Sequence, residues 1–280
     1  MIRNWKMYIC VVVLGMVICS VYMKKSDIIP ITKHVEKVKS IVSNQFIQKK
    51  SGKDQLVIPT KHSQQKKGFV NTDEEKVLLQ NVPFIQQLPE LDRGCEVTSL
   101  AMMLQYAGVS VDKMTLADEI EKVPFSNNGI RGNPNEGFVG DIYTFSESGY
   151  GVYHKPLFQL ANKYLPNRAV DLTGKDINEI YKVVKEGEPV VMITNATYAP
   201  LGEDEFDTWE TDEGNVSITY NEHCVLLIGY DKESVYIHDP LSDTPNVSVP
   251  RENFEQAWVQ MGSQAISYMK NSKGTGQEME

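Results

Sequence analysis

Apolar residues at Val97, Leu100, Ala101 and Leu104 follow the i, i+3, i+4, i+7 spacing of one helix face and predict an amphipathic helix starting near Cys95. Asp92 is its expected N-cap and Gly108 its stop. A second helical pattern covers 115–123, beginning near Asp112 or Thr115. Shorter ones cover Pro156–Tyr164, Asp176–Lys185 and Glu252–Trp258, and Gly187-Glu188-Pro189 closes the middle one. The unbroken apolar run Val190–Thr194 reads as a buried strand. Cys224–Tyr230 and Val235–Pro240 flank the polar turn Asp231–Ser234 and read as a β-hairpin. Residues 124–151, rich in Gly, Asn and Pro, predict a long loop bordering a cleft, with Phe138, Tyr143 and Phe145 packed locally. The carboxylate-rich stretch 202–214 reads as a solvated loop. Helices first and strands afterwards make an α+β fold class, a helix packed on an antiparallel sheet.

The N-terminus has a different pattern. Met7–Met23 is an uncharged run of 17 residues behind Arg3 and Lys6, at the low end of what spans a bilayer. No small-x-small site follows: Ser20-Val21-Tyr22 ends in a bulky residue, and Ile18 precedes Cys19 where a lipoprotein signal wants a small one. The expectation is an uncleaved signal anchor over 1–25, a single-pass transmembrane helix in the cell membrane with the remaining chain extracytoplasmic. Lys24, Lys25, Lys33, Lys37 and Lys39 oppose that topology, but a long domain translocates despite local charge. Residues 26–78 then form a polar, Lys-rich stalk, 79–268 a folded domain and 269–280 a disordered tail.

Charge sharpens the division. Residues 24–76 carry twelve Lys against six acids, and Arg3 and Lys6 precede them, so within a chain of net −9 residues 77–280 hold −17. So acidic a domain argues against nucleic acid, which calls for a basic face. No G-x-x-x-x-G-K-[ST] loop is present, so no nucleotide partner is expected either. Cys10 and Cys19 fall in the apolar run, and Cys224 reads as a core residue. The absence of C-x-x-C gives zinc little support, and neither a metal nor a cofactor is expected.

Cys95 opens a helix, where free N–H groups and the positive end of the helix dipole favour a thiolate. The hairpin returns Asp239, at the end of its second strand, to His223, at the start of its first. A nucleophile, a base and a residue that orients the base are thus available in the order Cys95, His223, Asp239.

Four segments, Val82-Pro83-Phe84-Ile85-Gln86-Gln87, Arg93-Gly94-Cys95-Glu96-Val97-Thr98-Ser99-Leu100-Ala101-Met102, Glu222-His223-Cys224-Val225-Leu226-Leu227-Ile228-Gly229-Tyr230-Asp231 and Asp239-Pro240, resemble the C39-like family of cysteine peptidases. The resemblance covers roughly residues 80–262. It implies a papain-like fold and peptide-bond hydrolysis of a peptide or protein substrate. Cys95 would be the nucleophile, His223 the general base and acid, and Asp239 the residue orienting His223. It also implies an oxyanion-binding glutamine, with Gln87 the best match and Gln86 the second, although the gap from Gln87 to Cys95 is longer than in papain-type enzymes. The transporter parts of the best-known relatives are missing, so peptide export is not implied. An amidase or acyl transferase acting on cell-wall peptide on the same triad, and a non-catalytic peptide-binding module of the same fold, stay open at this stage.

Overall fold

The computed structural model describes residues 76–270. The expected anchor, nearly all of the stalk and nearly all of the tail lie outside the described residues. Among the described residues no helix is long and apolar enough to cross a membrane.

The chain enters through a short strand, β1 (Val77–Leu78), and reaches the first helix, α1 (Cys95–Tyr106), followed by α2 (Lys113–Glu119). Four two-residue strands come next: β2 (Lys122–Val123), β3 (Ser126–Asn127), β4 (Ile130–Arg131) and β5 (Phe138–Val139). Then follow α3 (His154–Tyr164), β6 (Ala169–Asp171), α4 (Ile177–Glu186) and β7 (Val190–Asn195). A small hairpin of β8 (Asp207–Thr211) and β9 (Gly214–Ile218) precedes β10 (Glu222–Tyr230), β11 (Ser234–His238) and β12 (Val247–Pro250). Helix α5 (Arg251–Gln260) and β13 (Ala265–Tyr268) complete the domain.

A seven-stranded sheet forms the middle, in the order β12-β11-β10-β7-β13-β6, with β1 also paired to β10. Every pairing in it is antiparallel. The period of two along a strand decides what each face meets. Cys224, Leu226 and Ile228 of β10 join the core around α1, while Val225 and Leu227 join the core around α4 and α5. With both faces covered, the central strands are buried almost throughout.

Helix α1 departs from the expected amphipathic form. Cys95 to Leu104 are all buried, because the helix lies between the sheet, α2 and α3. A helix enclosed in this way is apolar around its circumference, and the residues opposite its core stripe, Met102 and Met103, are as buried as Leu100. The cap also differs. Gly94 is the N-cap residue and makes no side-chain cap. Asp92 instead accepts the N–H of Phe145 on Oδ2 at 2.8 Å, tying down the following loop.

Helix α2 stops at Glu119, short of the expected end, because Lys122 and Val123 leave to pair in parallel with Phe138 and Val139. Its start is as expected, with Asp112 Oδ1 accepting the N–H of Thr115 at 2.8 Å. Helix α4 is capped by Asp176 and closed by Gly187 at φ +104°, a left-handed conformation that favours glycine. The acidic stretch after β7 is no plain loop. It folds into the β8–β9 hairpin, which turns Trp209 and Ile218 inward and its carboxylates outward.

Candidate functional site

The turn ahead of α1 sets the position of Cys95. Arg93 N–H reaches the Ile142 carbonyl at 3.0 Å, and its guanidinium donates to the carbonyls of Asp141 and Thr144. Leu91 is fully buried beneath the turn. A Cβ on Gly94 would lie 2.5 Å from Cβ of Leu91 and 2.6 Å from its Cδ1, so only glycine lets the chain turn directly into the helix. Gly94→Ala is expected to destabilise the domain by roughly 1–3 kcal/mol through overpacking. It should also shift Cys95 enough to change its alkylation rate. Urea denaturation and timed alkylation check the two effects; wild-type behaviour in both would remove this steric role.

Strands β10 and β11 place the histidine. Their register sets Leu226 opposite His238, which brings Asp239 back past the start of β10. His223 Nε2 lies 2.7 Å from Asp239 Oδ1. Oδ1 also accepts the N–H of Leu241 at 2.8 Å, and Oδ2 accepts the hydroxyl of Tyr198 at 2.7 Å. Burial, the largest single influence, pushes Asp239 up, but His223, Leu241 and Tyr198 together hold it below the ordinary range. With Nε2 committed to Asp239, Nδ1 is the ring nitrogen that can take a nucleophile's proton.

Tyr198 is a site residue that sequence reasoning missed. Its ring lies against His223 with centroids 6.2 Å apart, and its backbone is left-handed at φ +54°, uncommon for an aromatic residue. Asn195 supports that turn by accepting from the Thr197 N–H and donating to the Ala199 carbonyl. A signal was available. β7 pairs antiparallel with β10 with Asn195 opposite Glu222, so whatever follows β7 must arrive beside His223.

Cys95 sits at the N-terminus of α1, as expected, but not in the expected electrostatic setting. Its Sγ donates to Glu96 Oε2 at 3.3 Å. Burial first, then the carboxyls of Glu96 and Glu222, push the thiol well above its ordinary range, opposed in part by the Cys224 backbone N–H. The dipole of one helix is outweighed by burial beside two carboxyls. Glu96 Oε1 accepts the Val152 N–H at 2.8 Å, while Glu222 Oε1 is buried with no hydrogen-bond partner. Burial raises Glu96 to about 7, and burial followed by its neighbour Glu96 raises Glu222 well above the carboxylate range. Three donors that include the nucleophile's own sulfur do not make the closed Cys/His set of a structural zinc site. Cys224 is a fully buried core residue, and both it and Cys95 are free thiols.

The two glutamines separate clearly. Gln86 is exposed and donates to Ser242 and Asp243. Gln87 is buried, and its Nε2 donates at 3.2 Å to the carbonyls of both Leu91 and Asp92, in the turn leading to Cys95. Of the expected aromatics, Phe138 is core, Tyr143 bonds Asp118, and Phe145 is exposed beneath the Arg93 guanidinium, 4.6 Å from its ring centre.

Residues 79–266 match the model of the Peptidase_C39 like family. The uncharacterized protein YvpB of Bacillus subtilis (strain 168) is 47% identical over 183 residues, covering 65% of this chain and 71% of YvpB. A crystal structure of a protein assigned as a C39-like peptidase from Bacillus anthracis is 80% identical with a TM-score of 0.70, covering 71% of this chain and all of that one. A double glycine motif protease from an AMS/PCAT transporter, solved with its leader peptide, is 16% identical over 69% of this chain with a TM-score of 0.37, too distant to bear on fold or function.

Proposed function

This chain belongs to the Peptidase_C39 like family, and we propose that it is a cysteine peptidase whose nucleophile is Cys95. The observation that carries the proposal is the buried 2.7 Å contact of His223 with Asp239, on the strand whose Cys224 N–H faces the Cys95 thiol. His223 Nδ1 takes the thiol proton as Sγ attacks the substrate carbonyl. The imidazolium then returns that proton to the leaving amine, and water resolves the acyl-enzyme by the reverse sequence. Asp239 fixes the tautomer and steadies the imidazolium. Because burial keeps Cys95 protonated at rest, His223 serves as a general base during attack, and no standing thiolate–imidazolium pair is required. The Cys95 backbone N–H, free in the first turn of α1, and Gln87 would face the oxyanion. The uncharged run Met7–Met23 extends the proposal to an anchored, extracytoplasmic enzyme, on the sequence alone.

The test is to incubate the full chain with a mixed peptide library, quench in acid, and search by mass spectrometry for new peptide termini and for a thioester on Cys95. Both are expected. New termini without the thioester would exclude Cys95 as nucleophile. Retained but uncut peptides would favour the non-catalytic binding module, a reading to which the raised Cys95 thiol lends support.

A further inference from the structure

Three acidic groups meet at the start of α1. The ligating atoms of Cys95, Glu96 and Glu222 all lie within 4.8 Å of one another. The two carboxyls converge over Gly151, where a Cβ would lie 2.6 Å from Glu96 Oε1 and 3.0 Å from Glu222 Oε2. The titratable groups facing the pair are Cys95 from α1, His223 and Cys224 from β10, and Tyr150 and Tyr153 from the segment ahead of α3. None of these is a lysine or arginine. Two buried carboxyls this close, without a cation among those neighbours, do not both ionise at neutral pH. Glu222 Oε1, buried and unpartnered, is a place where a shared proton has no competing donor.

We propose that Glu96 and Glu222 hold one proton between them and act as positioning residues for Cys95, so that its thiolate forms only while that proton is held. The inference rests on the cysteine-peptidase reading. In the resting state the thiol donates to Glu96 Oε2. When Cys95 passes its proton to His223 Nδ1, sulfur keeps the bonding pair, and the carboxyl proton, still on the pair, donates a hydrogen bond to Sγ. Loss of that proton leaves two negative charges against the sulfur and switches the nucleophile off. The enzyme is therefore most reactive on the acid side of neutrality, and its alkaline limb belongs to the carboxyl pair.

The experiment measures iodoacetamide alkylation of Cys95 in the full chain across pH, in EDTA, with the adduct located by peptide mass spectrometry. Wild type is expected to lose reactivity by about tenfold per pH unit above the pair's titration. Glu96→Gln and Glu222→Gln, which keep size and shape, are each expected to abolish that limb or move it upward by at least about one unit. A limb that stays in place in both variants overturns the proposal. Infrared spectroscopy of the wild type decides the matter even if a variant fails to fold. A protonated carboxylic-acid band that persists at neutral pH and titrates away above it supports the pair, and its absence at neutral pH overturns it. His223→Ala separates the two readings. If it leaves alkylation unchanged while the Gln variants move the limb, the peptidase mechanism fails and the proton pair stands.

Discussion

Asp239→Ala is expected to lower the turnover of a cleaved peptide roughly 10³-fold with little change in KM, within the range seen when a catalytic triad loses its orienting member. Three donors converge on this carboxylate: Nε2 of His223, the Leu241 N–H and the Tyr198 hydroxyl. Alanine removes the acceptor for all of them. His223 is then free to turn or to take the wrong tautomer, and the imidazolium loses its counter-charge. Asp239→Asn should cost much less. Oδ1 keeps the two N–H donors, and the new amide faces Tyr198, whose hydroxyl can turn from donor to acceptor. Steady-state kinetics on the pair of variants checks this. Equal losses would mean that the charge of Asp239 matters more than its orientation of His223, and no loss in either would remove Asp239 from the mechanism.

The largest effect on stability is expected at Trp258→Ala, about 3–5 kcal/mol, measured by urea denaturation. Trp258 is 1% exposed in the core between α5 and the sheet. Its Nε1–H also donates to the Gln264 carbonyl at 2.9 Å, and the Gln264 side chain accepts the N–H of His154. Removing the indole opens a cavity, orphans a carbonyl and loosens the entry to β13 together. Against a typical total of about 5–15 kcal/mol, that loss is a large share of domain stability. A cost near 1 kcal/mol would show that the core closes over the gap.

The parts of the site that were legible in the sequence are those built locally. Glycine before cysteine at the head of an apolar run marks a helix start, and a hairpin with a short turn must return Asp239 to His223. The parts that were not legible depend on non-local packing. Tyr198 is one aromatic among many until β7 is known to pair with β10. Glu96 and Glu222 lie far apart in sequence, and each looks like a surface carboxylate. The dipole argument for a thiolate at Cys95 failed for the same reason: burial and the approach of Glu222 cannot be read from the first turn of a helix. The β8–β9 hairpin was a different miss. Trp209 and Thr211 alternate with exposed residues at the strand period, but the surrounding acids made the stretch read as solvated.

The placement of β1 has a mechanical consequence. β7 pairs with β10 only from Glu222 to Leu227, and β1 takes up the same edge beyond it, at Gly229 and Tyr230. The chain therefore joins the sheet at the end of β10 remote from Glu222 and His223, on the order of 25 Å along the strand. A pull transmitted through Lys76 would peel two residues from a sheet edge, one rung at a time, before any strain reached the histidine. The domain can be held by its leading segment, or swing on it, while the cleft keeps its shape.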